Sequence, residues 1–193
     1  MNPWIWGIIL AVVLLGLIWL LVTVRRTWRV GVMVREFVDY HNLEAALAYV
    51  ERHPLMLKDR ALHFLDRWRY FEPAQHSAAD KMRLMLYQRL LERCQAEGVA
   101  QVRQAIQDAD LAPRHVHLDT PHARKALTFM GQAILDKDKP PPQNDTLDLP
   151  TLRAIEQVTR LLVAVTEGNV QRQAQRIHAR LLGMIAERER EEG

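Results

Sequence analysis

The chain has 193 residues, of which 49% are hydrophobic and 25% are charged, and 26 Lys and Arg stand against 23 Asp and Glu to leave a net charge of +3. This composition excludes a disordered tail, because the chain is apolar enough to bury a core and its charges nearly balance. The charges are unevenly placed, since residues 1–24 hold none of them. We therefore interpret the charge-free start and the rest of the chain separately.

The charge-free start predicts a membrane-spanning helix. From Pro3 to Val24 there are 22 consecutive uncharged residues, rich in Ile, Leu and Val. A helix of that length would reach roughly 33 Å, enough to cross a bilayer core of about 30 Å. Aromatic and basic residues at its two ends are typical of membrane interfaces. The predicted interface residues are Trp4, Trp6, Trp19, Arg25, Arg26, Trp28 and Arg29.

The residues that flank this stretch set its expected orientation. A cleaved signal peptide would need a basic segment before the apolar run and a small-residue cleavage site after it, and the sequence offers neither. The positive-inside rule places the arginine end in the cytoplasm and the N-terminus outside. We therefore expect a single-pass protein of the plasma membrane with a cytoplasmic C-terminal domain. A buried core helix is the alternative.

The charge distribution indicates the kinds of partner. The segment Arg25–Arg35 carries four arginines and no acid, whereas residues 36–193 carry a net charge of −1. Arginines at a membrane exit attract anionic lipid headgroups, so we expect lipid contact along this segment. A nucleic-acid-binding protein would need a basic stripe on its folded domain, so nucleic acid is not an expected partner.

Beyond the apolar start, the spacing of apolar residues is helical almost throughout. Asn42, Ser77 and Thr120 are suited to N-caps, and Pro54 and Gly98 to helix ends. These signals predict helices that cover about 43–53, 57–70, 77–97 and 99–110, and a fifth that begins at 120–121.

Two further helices are predicted near the C-terminus. Residues 137–150 are rich in proline and polar residues and predict a stiff linker. Two apolar stripes follow, and they are out of phase across Gly168-Asn169, which predicts a helical hairpin with its turn there. One long helix with a stutter is the alternative. Such a hairpin cannot bury a core alone, so it would pack on the preceding lobe, on a second copy or on a partner.

The expected organisation therefore has four parts. They are an anchor and basic segment at 1–35, a helical lobe at 36–136, the linker at 137–150 and the hairpin at 151–193, through which a homo-oligomer could also form.

Short patterns in the predicted helices resemble known helical segments. The stretch 43–54 reads LEAALAYVERHP, the stretch 90–99 reads LLERCQAEGV, and the turn at 167–169 reads EGN. Together they are similar to segments found beside tetratricopeptide-type repeats in large bacterial signalling and effector proteins. The resemblance covers about half of the chain after the apolar start. It implies an all-α array of helical hairpins, either TPR-like or an irregular α-bundle, that offers an interaction surface and performs no reaction.

One cluster of side chains could bind a metal. His115, His117 and His122 lie within eight residues of each other, together with Asp119. Two imidazoles and a carboxylate can hold a divalent metal with an open position, so a metal-dependent enzyme is one hypothesis. The spacing matches no established metal motif, and solvated loop histidines are the favoured interpretation. We expect neither a metal nor another cofactor.

Catalytic side chains are not expected elsewhere. Cys94, the single cysteine, has the helical spacing of a small buried residue and forbids an intrachain disulfide. Ser77, the single serine, stands where an N-cap belongs. The glycines are isolated from each other and form no phosphate-binding loop.

The expected function is a membrane-anchored scaffold for protein–protein contact at the cytoplasmic face. The aromatic end of the second predicted helix, at Trp68, Tyr70 and Phe71, is the proposed place of partner binding, with a core-and-rim role as the alternative. A small accessory subunit of a larger membrane complex is the alternative function.

Overall fold

The structure is a computed structural model that describes residues 3–71, 77–135 and 147–192. Within these ranges the chain is all-α, as predicted, with eight α-helices and no strand. Short 3-10 turns follow α2 and α5, at Pro54–Leu57 and Pro113–His115. The helices are α1 (Pro3–Asp39), α2 (Leu43–Arg52), α3 (Asp59–Phe71), α4 (Ala78–Glu97), α5 (Val99–Asp108), α6 (Pro121–Leu135), α7 (Leu149–Val165) and α8 (Gly168–Glu192).

The predicted caps begin three of these helices. The side chains of Asn42, Ser77 and Thr120 each accept a hydrogen bond from the backbone N–H three residues later, at 3.1, 3.2 and 3.1 Å. Each bond satisfies a donor that the first turn of a helix leaves without a partner. Local sequence signals therefore placed the starts of α2, α4 and α6 correctly.

One hydrophobic core joins the described helices, from Val30 in α1 to Ile185 in α8. Helix α4 lies in its middle and contacts α3, α5, α6 and α7. Helix α1 packs on α2 and α3, and α7 packs on α6 and α8. In the core Phe37 and Tyr87 meet edge to face, with ring centroids 5.1 Å apart.

The C-terminal hairpin is confirmed. Helix α7 ends at Val165 and α8 begins at Gly168, which has a φ of +68°. This left-handed conformation favours glycine and turns the chain between two helices that then pack together. The alternative of one long helix is wrong. Most of the predicted linker at 137–150 lies outside the described residues, which resume at 147.

Helix α1 is continuous but has two different halves. From Val30 onward one face packs into the core, where Val34, Phe37 and Val38 are buried. The residues before Val30 contact little of the domain, and their described side chains are mostly exposed. The domain therefore carries a helical projection that is continuous with a helix of its core.

The predicted transmembrane anchor is wrong. Within the three described ranges, no helix is both long enough and apolar enough to cross a bilayer. The prediction treated Pro3 to Val24 as a membrane-spanning segment, whereas these residues are the first part of a helix whose later turns carry four arginines and join the core. The single-pass topology and the plasma-membrane localisation that depended on this anchor are wrong as well.

Candidate functional site

The projecting half of α1, which precedes Val30, exposes apolar side chains in every direction from Leu10 to Val24 wherever its side chains are described. Consecutive residues of an α-helix point about 100° apart, so an unbroken apolar run covers the whole circumference. A helix that is apolar all round is normally covered by other apolar groups, because each Å² left in water costs about 25 cal/mol. The exposed residues include Leu10, Val12, Val13, Leu14, Leu15, Leu17, Ile18, Leu20, Leu21, Val22 and Val24.

A groove of about 480 Å³ lies between α1 and α3, beside this exposed half. Phe64 of α3 forms one wall, and the missing side chain of Gly31 opens the floor. A Cβ atom at Gly31 would come within 3.4 Å of Phe64 Cε1, so even a methyl group would begin to fill this space. The residues that shape it most are Thr23, Thr27, Trp28, Gly31, Arg35 and Phe64.

The polar atoms of the groove are largely satisfied within α1. The hydroxyl of Thr23 donates to the carbonyl oxygen of Trp19, and that of Thr27 donates to the carbonyl oxygen of Thr23, both at 2.8 Å. Neither hydroxyl therefore requires a partner from outside. The guanidinium of Arg35 is the charged group of this groove.

The arginines predicted as a basic segment lie exposed on the same helix. Arg25, Arg26, Arg29 and Arg35 are all exposed, and none forms an ion pair with a described residue. No carboxylate occurs before Glu36. This part of α1 therefore presents uncompensated positive charge next to apolar surface.

The tryptophans predicted as interface residues share α1 but differ in their surroundings. Trp4, Trp19 and Trp28 are 79%, 70% and 74% exposed. Trp28 also lines the groove, whereas the side chain of Trp6 lies outside the described part of the chain. Such exposure of large rings is typical of an interaction surface.

The aromatic end of α3 was the predicted place of partner binding. Trp68 is half-buried and packs against the core. Tyr70 and Phe71 belong to α3, but their side chains lie outside the described residues. The aromatic residue of α3 that faces the groove is Phe64, which the sequence interpretation did not select. Its helical spacing was the only available signal, and that signal does not distinguish a groove wall from a core position.

His117 and His122 of the predicted metal cluster contact different neighbours. His117 Nε2 lies 3.4 Å from Asn42 Nδ2, and His122 Nδ1 lies 3.0 Å from Thr151 Oγ1. His115 belongs to the second 3-10 turn. In the described ranges no group of three His, Cys, Asp or Glu residues is arranged to hold a metal ion.

The histidine stretch instead joins distant parts of the chain. The N–H of Leu43 donates to Val116 O at 3.1 Å, and the N–H of Leu118 donates to His41 O at 2.8 Å. These bonds form an isolated antiparallel bridge between Asn42 and His117. The stretch before α6 is thereby fixed to the turn between α1 and α2.

Cys94 is buried in α4, as its spacing predicted. Burial in apolar surroundings raises the pKa of its thiol to about 12. The thiolate that nucleophilic chemistry requires is therefore nearly absent at neutral pH.

Comparisons with protein-family models, with curated proteins and with solved structures found no match for this chain. The resemblance to segments beside tetratricopeptide-type repeats stays a prediction. The strongest functional feature in the described residues is thus the projecting half of α1 together with the groove at its base.

Proposed function

We propose that the protein is a helical interaction module that holds a second protein through the projecting half of α1. The observation that carries this proposal is a contrast within one helix. One face of the later turns is buried in the core, whereas the described apolar residues of the earlier turns are exposed on all sides. Contiguous exposed apolar surface of this size marks a place where another molecule binds.

The shape of the surface favours a partner made of helices. A rod that is apolar all round is covered best by two or more neighbouring helices, which pack at axis separations of about 8–10 Å. Gly16, where a Cβ atom would meet nothing within 4 Å, would allow such a neighbour to come close. We propose that the partner supplies an open cluster of apolar helices into which α1 inserts.

The continuity of α1 determines what such binding achieves. Between Leu14 and Val34 the helix is unbroken and rises about 30 Å. A partner that encloses Leu14 is therefore held at a defined distance and orientation from the domain. Molecules that bind the domain would then meet this partner at a raised effective concentration.

The test is a comparison of matched variants of the full chain. The variant Leu14→Gln, Leu17→Gln, Leu21→Gln makes one side of the projection polar without adding charge. The control is Leu182→Gln, because Leu182 is 47% exposed on α8 and lies outside the projection. Each protein is purified from its native cells in mild detergent, and the proteins that accompany it are quantified by mass spectrometry.

The proposal predicts that one protein co-purifies in near-equimolar amount with the original chain and also with the Leu182→Gln control. That protein should be lost with the triple variant, while circular dichroism shows unchanged helix content. Equal recovery of the same protein with all three chains would overturn the proposal, and so would the recovery of no stoichiometric protein with any of them.

A further inference from the structure

We infer that the groove between α1 and α3 receives an amphipathic helix of the partner protein, with its apolar face against Trp28 and Phe64 and a carboxylate toward Arg35. This inference rests on the proposed function and names the chemistry of the partner. The groove lies at the base of the projection, so a partner that surrounds the projection reaches it directly.

The dimensions of the groove fit a helix. Its floor extends along α1 from Thr23 to Arg35, which corresponds to about 18 Å, or a little more than three helical turns. Thr23, Thr27 and Gly31 recur every fourth residue and therefore lie on one side of α1. Their small size allows the axis of a second helix to come close along that side, while Trp28 and Phe64 provide the walls.

The chemistry of the lining disfavours a small polar ligand. Sites for such ligands combine apolar walls with several convergent polar groups. Here the hydroxyls of Thr23 and Thr27 already donate to carbonyl oxygens of α1. An apolar helix face needs no further hydrogen-bond partners, so it matches this lining.

The charge of the groove indicates which charge the partner helix should carry. Arg35 is exposed at the C-terminal end of the floor and has no ion pair with a described residue. Arg25 and Arg29 are also exposed but lie on the side of α1 away from Thr27 and Gly31, so Arg35 supplies the charge of the described groove lining. A guanidinium prefers a carboxylate, with which it forms two parallel hydrogen bonds. A partner helix with acidic residues beside its apolar face would satisfy this preference.

The same charges argue against pairing of α1 with α1 of a second copy. Residues 1–35 contain no Asp or Glu. Parallel pairing would place the arginines of one copy beside those of the other. Antiparallel pairing would offer no acid within residues 1–35 and would bring acids to the arginines only where Glu36 and Asp39, at the packed end of α1, overlap them. Like charges brought together at an interface cost binding free energy. For pairing within residues 1–35 the arginines therefore favour a different protein as the occupant.

The experiment uses two synthetic peptides as probes. Each has about 14 residues, blocked ends, a fluorescent label and an apolar face of Leu and Ala, and would span about 21 Å as a helix. One peptide carries three Glu beside the apolar face, and the other carries Lys at the same positions. Their affinities for the full chain are measured by fluorescence anisotropy at low salt and at one fixed concentration of non-ionic detergent.

Three variants make the measurement specific to the groove. Arg35→Glu reverses the charge at its end. Gly31→Leu fills the floor, where a Cβ atom already meets Phe64 at 3.4 Å. Arg176→Glu on exposed α8 makes the same charge change elsewhere. Circular dichroism of every variant verifies the fold.

We expect the Glu peptide to bind the original chain and Arg176→Glu at least about tenfold more tightly than the Lys peptide, a difference of about 1.4 kcal/mol. Arg35→Glu should abolish or reverse this preference, and Gly31→Leu should weaken binding of the Glu peptide by a similar factor. Equal binding of the two peptides would overturn the inference, as would tight binding to Gly31→Leu.

Two further measurements separate this inference from the proposed function. The triple variant at Leu14, Leu17 and Leu21 leaves the groove intact, so it should keep the peptide preference while it loses the native partner. Loss of the native partner without any peptide preference would overturn the groove inference alone. Vesicles of anionic lipid provide the other comparison. If Arg35→Glu loses binding to these vesicles while the Glu and Lys peptides bind equally well, the arginines bind lipid headgroups. That result would overturn the groove inference.

Discussion

The carbonyl oxygen of Ala78, at the start of α4, lies 2.5 Å from the position that a Cβ atom of Gly131 in α6 would occupy. No side chain larger than hydrogen fits there unless a backbone moves. Gly131 thereby sets the spacing between α4 and α6, which pack together in the middle of the core. The close packing of α4 on α6 depends on this approach.

The first prediction is that Gly131→Ala destabilises the protein by about 1–3 kcal/mol, because the added methyl group forces two packed helices apart. This loss should exceed the gain of about 1 kcal/mol that alanine brings to a helix interior. The free energy of unfolding in urea measures it. Gly183→Ala is the matched control, since a Cβ atom at this glycine of α8 meets nothing within 4 Å and should stabilise the helix. Stabilisation by both changes would contradict the account.

The second prediction concerns Asn42, whose side chain forms hydrogen bonds with two parts of the chain. Its Oδ1 caps α2, and its Nδ2 donates to the carbonyl oxygen of Arg114 at 2.9 Å. Asn42→Asp keeps the cap and removes the donor, so we expect a loss of about 1 kcal/mol in unfolding free energy. Asn42→Ala removes both and should cost about 2 kcal/mol. If Asn42→Asp is as stable as the original chain, the bond to Arg114 contributes nothing, and if the two variants are equally stable, the cap contributes nothing.

The third prediction concerns the pH dependence of stability. A hydrogen bond from the side chain of Thr151, with a further one from its backbone N–H, holds the pKa of Asp148 below its usual range. A carboxyl whose pKa is lower in the folded state than in the unfolded state stabilises the folded protein at pH values above its unfolded-state pKa of about 3.9. This stabilisation is lost as the pH falls through the folded-state pKa. Asp148→Asn keeps a cap but has no charge. The stability difference between the two proteins should therefore be largest near neutral pH and shrink below about pH 4. A difference that stays constant with pH would contradict this role of the charge.

The fourth prediction concerns the reactivity of Cys94. Burial raises its pKa to about 12, so the folded protein should react only slowly with iodoacetamide at neutral pH. Labelling measured by mass spectrometry should accelerate together with unfolding in urea. Rapid labelling of the folded protein would show that α4 opens locally and that the core around this thiol is not closed.

The helices could largely be predicted from the sequence because their signals are local. Asn42, Ser77 and Thr120 cap a turn only three residues away, and Gly168 turns the chain between two stripes whose phase can be read directly. Such signals need no knowledge of the rest of the fold.

The candidate site could not be predicted in the same way, because it depends on contacts between distant residues. Phe64 faces Gly31 across the groove, and His117 Nε2 lies 3.4 Å from Asn42 Nδ2. Local composition also suggested a boundary after residue 24, whereas α1 continues and contributes Phe37 to the core. A run of apolar residues identifies a surface that needs to be covered, but it does not reveal what covers it.

The central claim is that a protein covers the projecting half of α1. Site-specific photo-crosslinking tests it most directly, with a photoreactive residue placed at Leu14 in one full chain and at Arg176 in a control chain, both in native cells. The account predicts that position 14 crosslinks to one protein, at an apolar helical segment that mass spectrometry can identify, and that position 176 does not. Crosslinks from position 14 only to lipid, or only to a second copy of this chain, would contradict it.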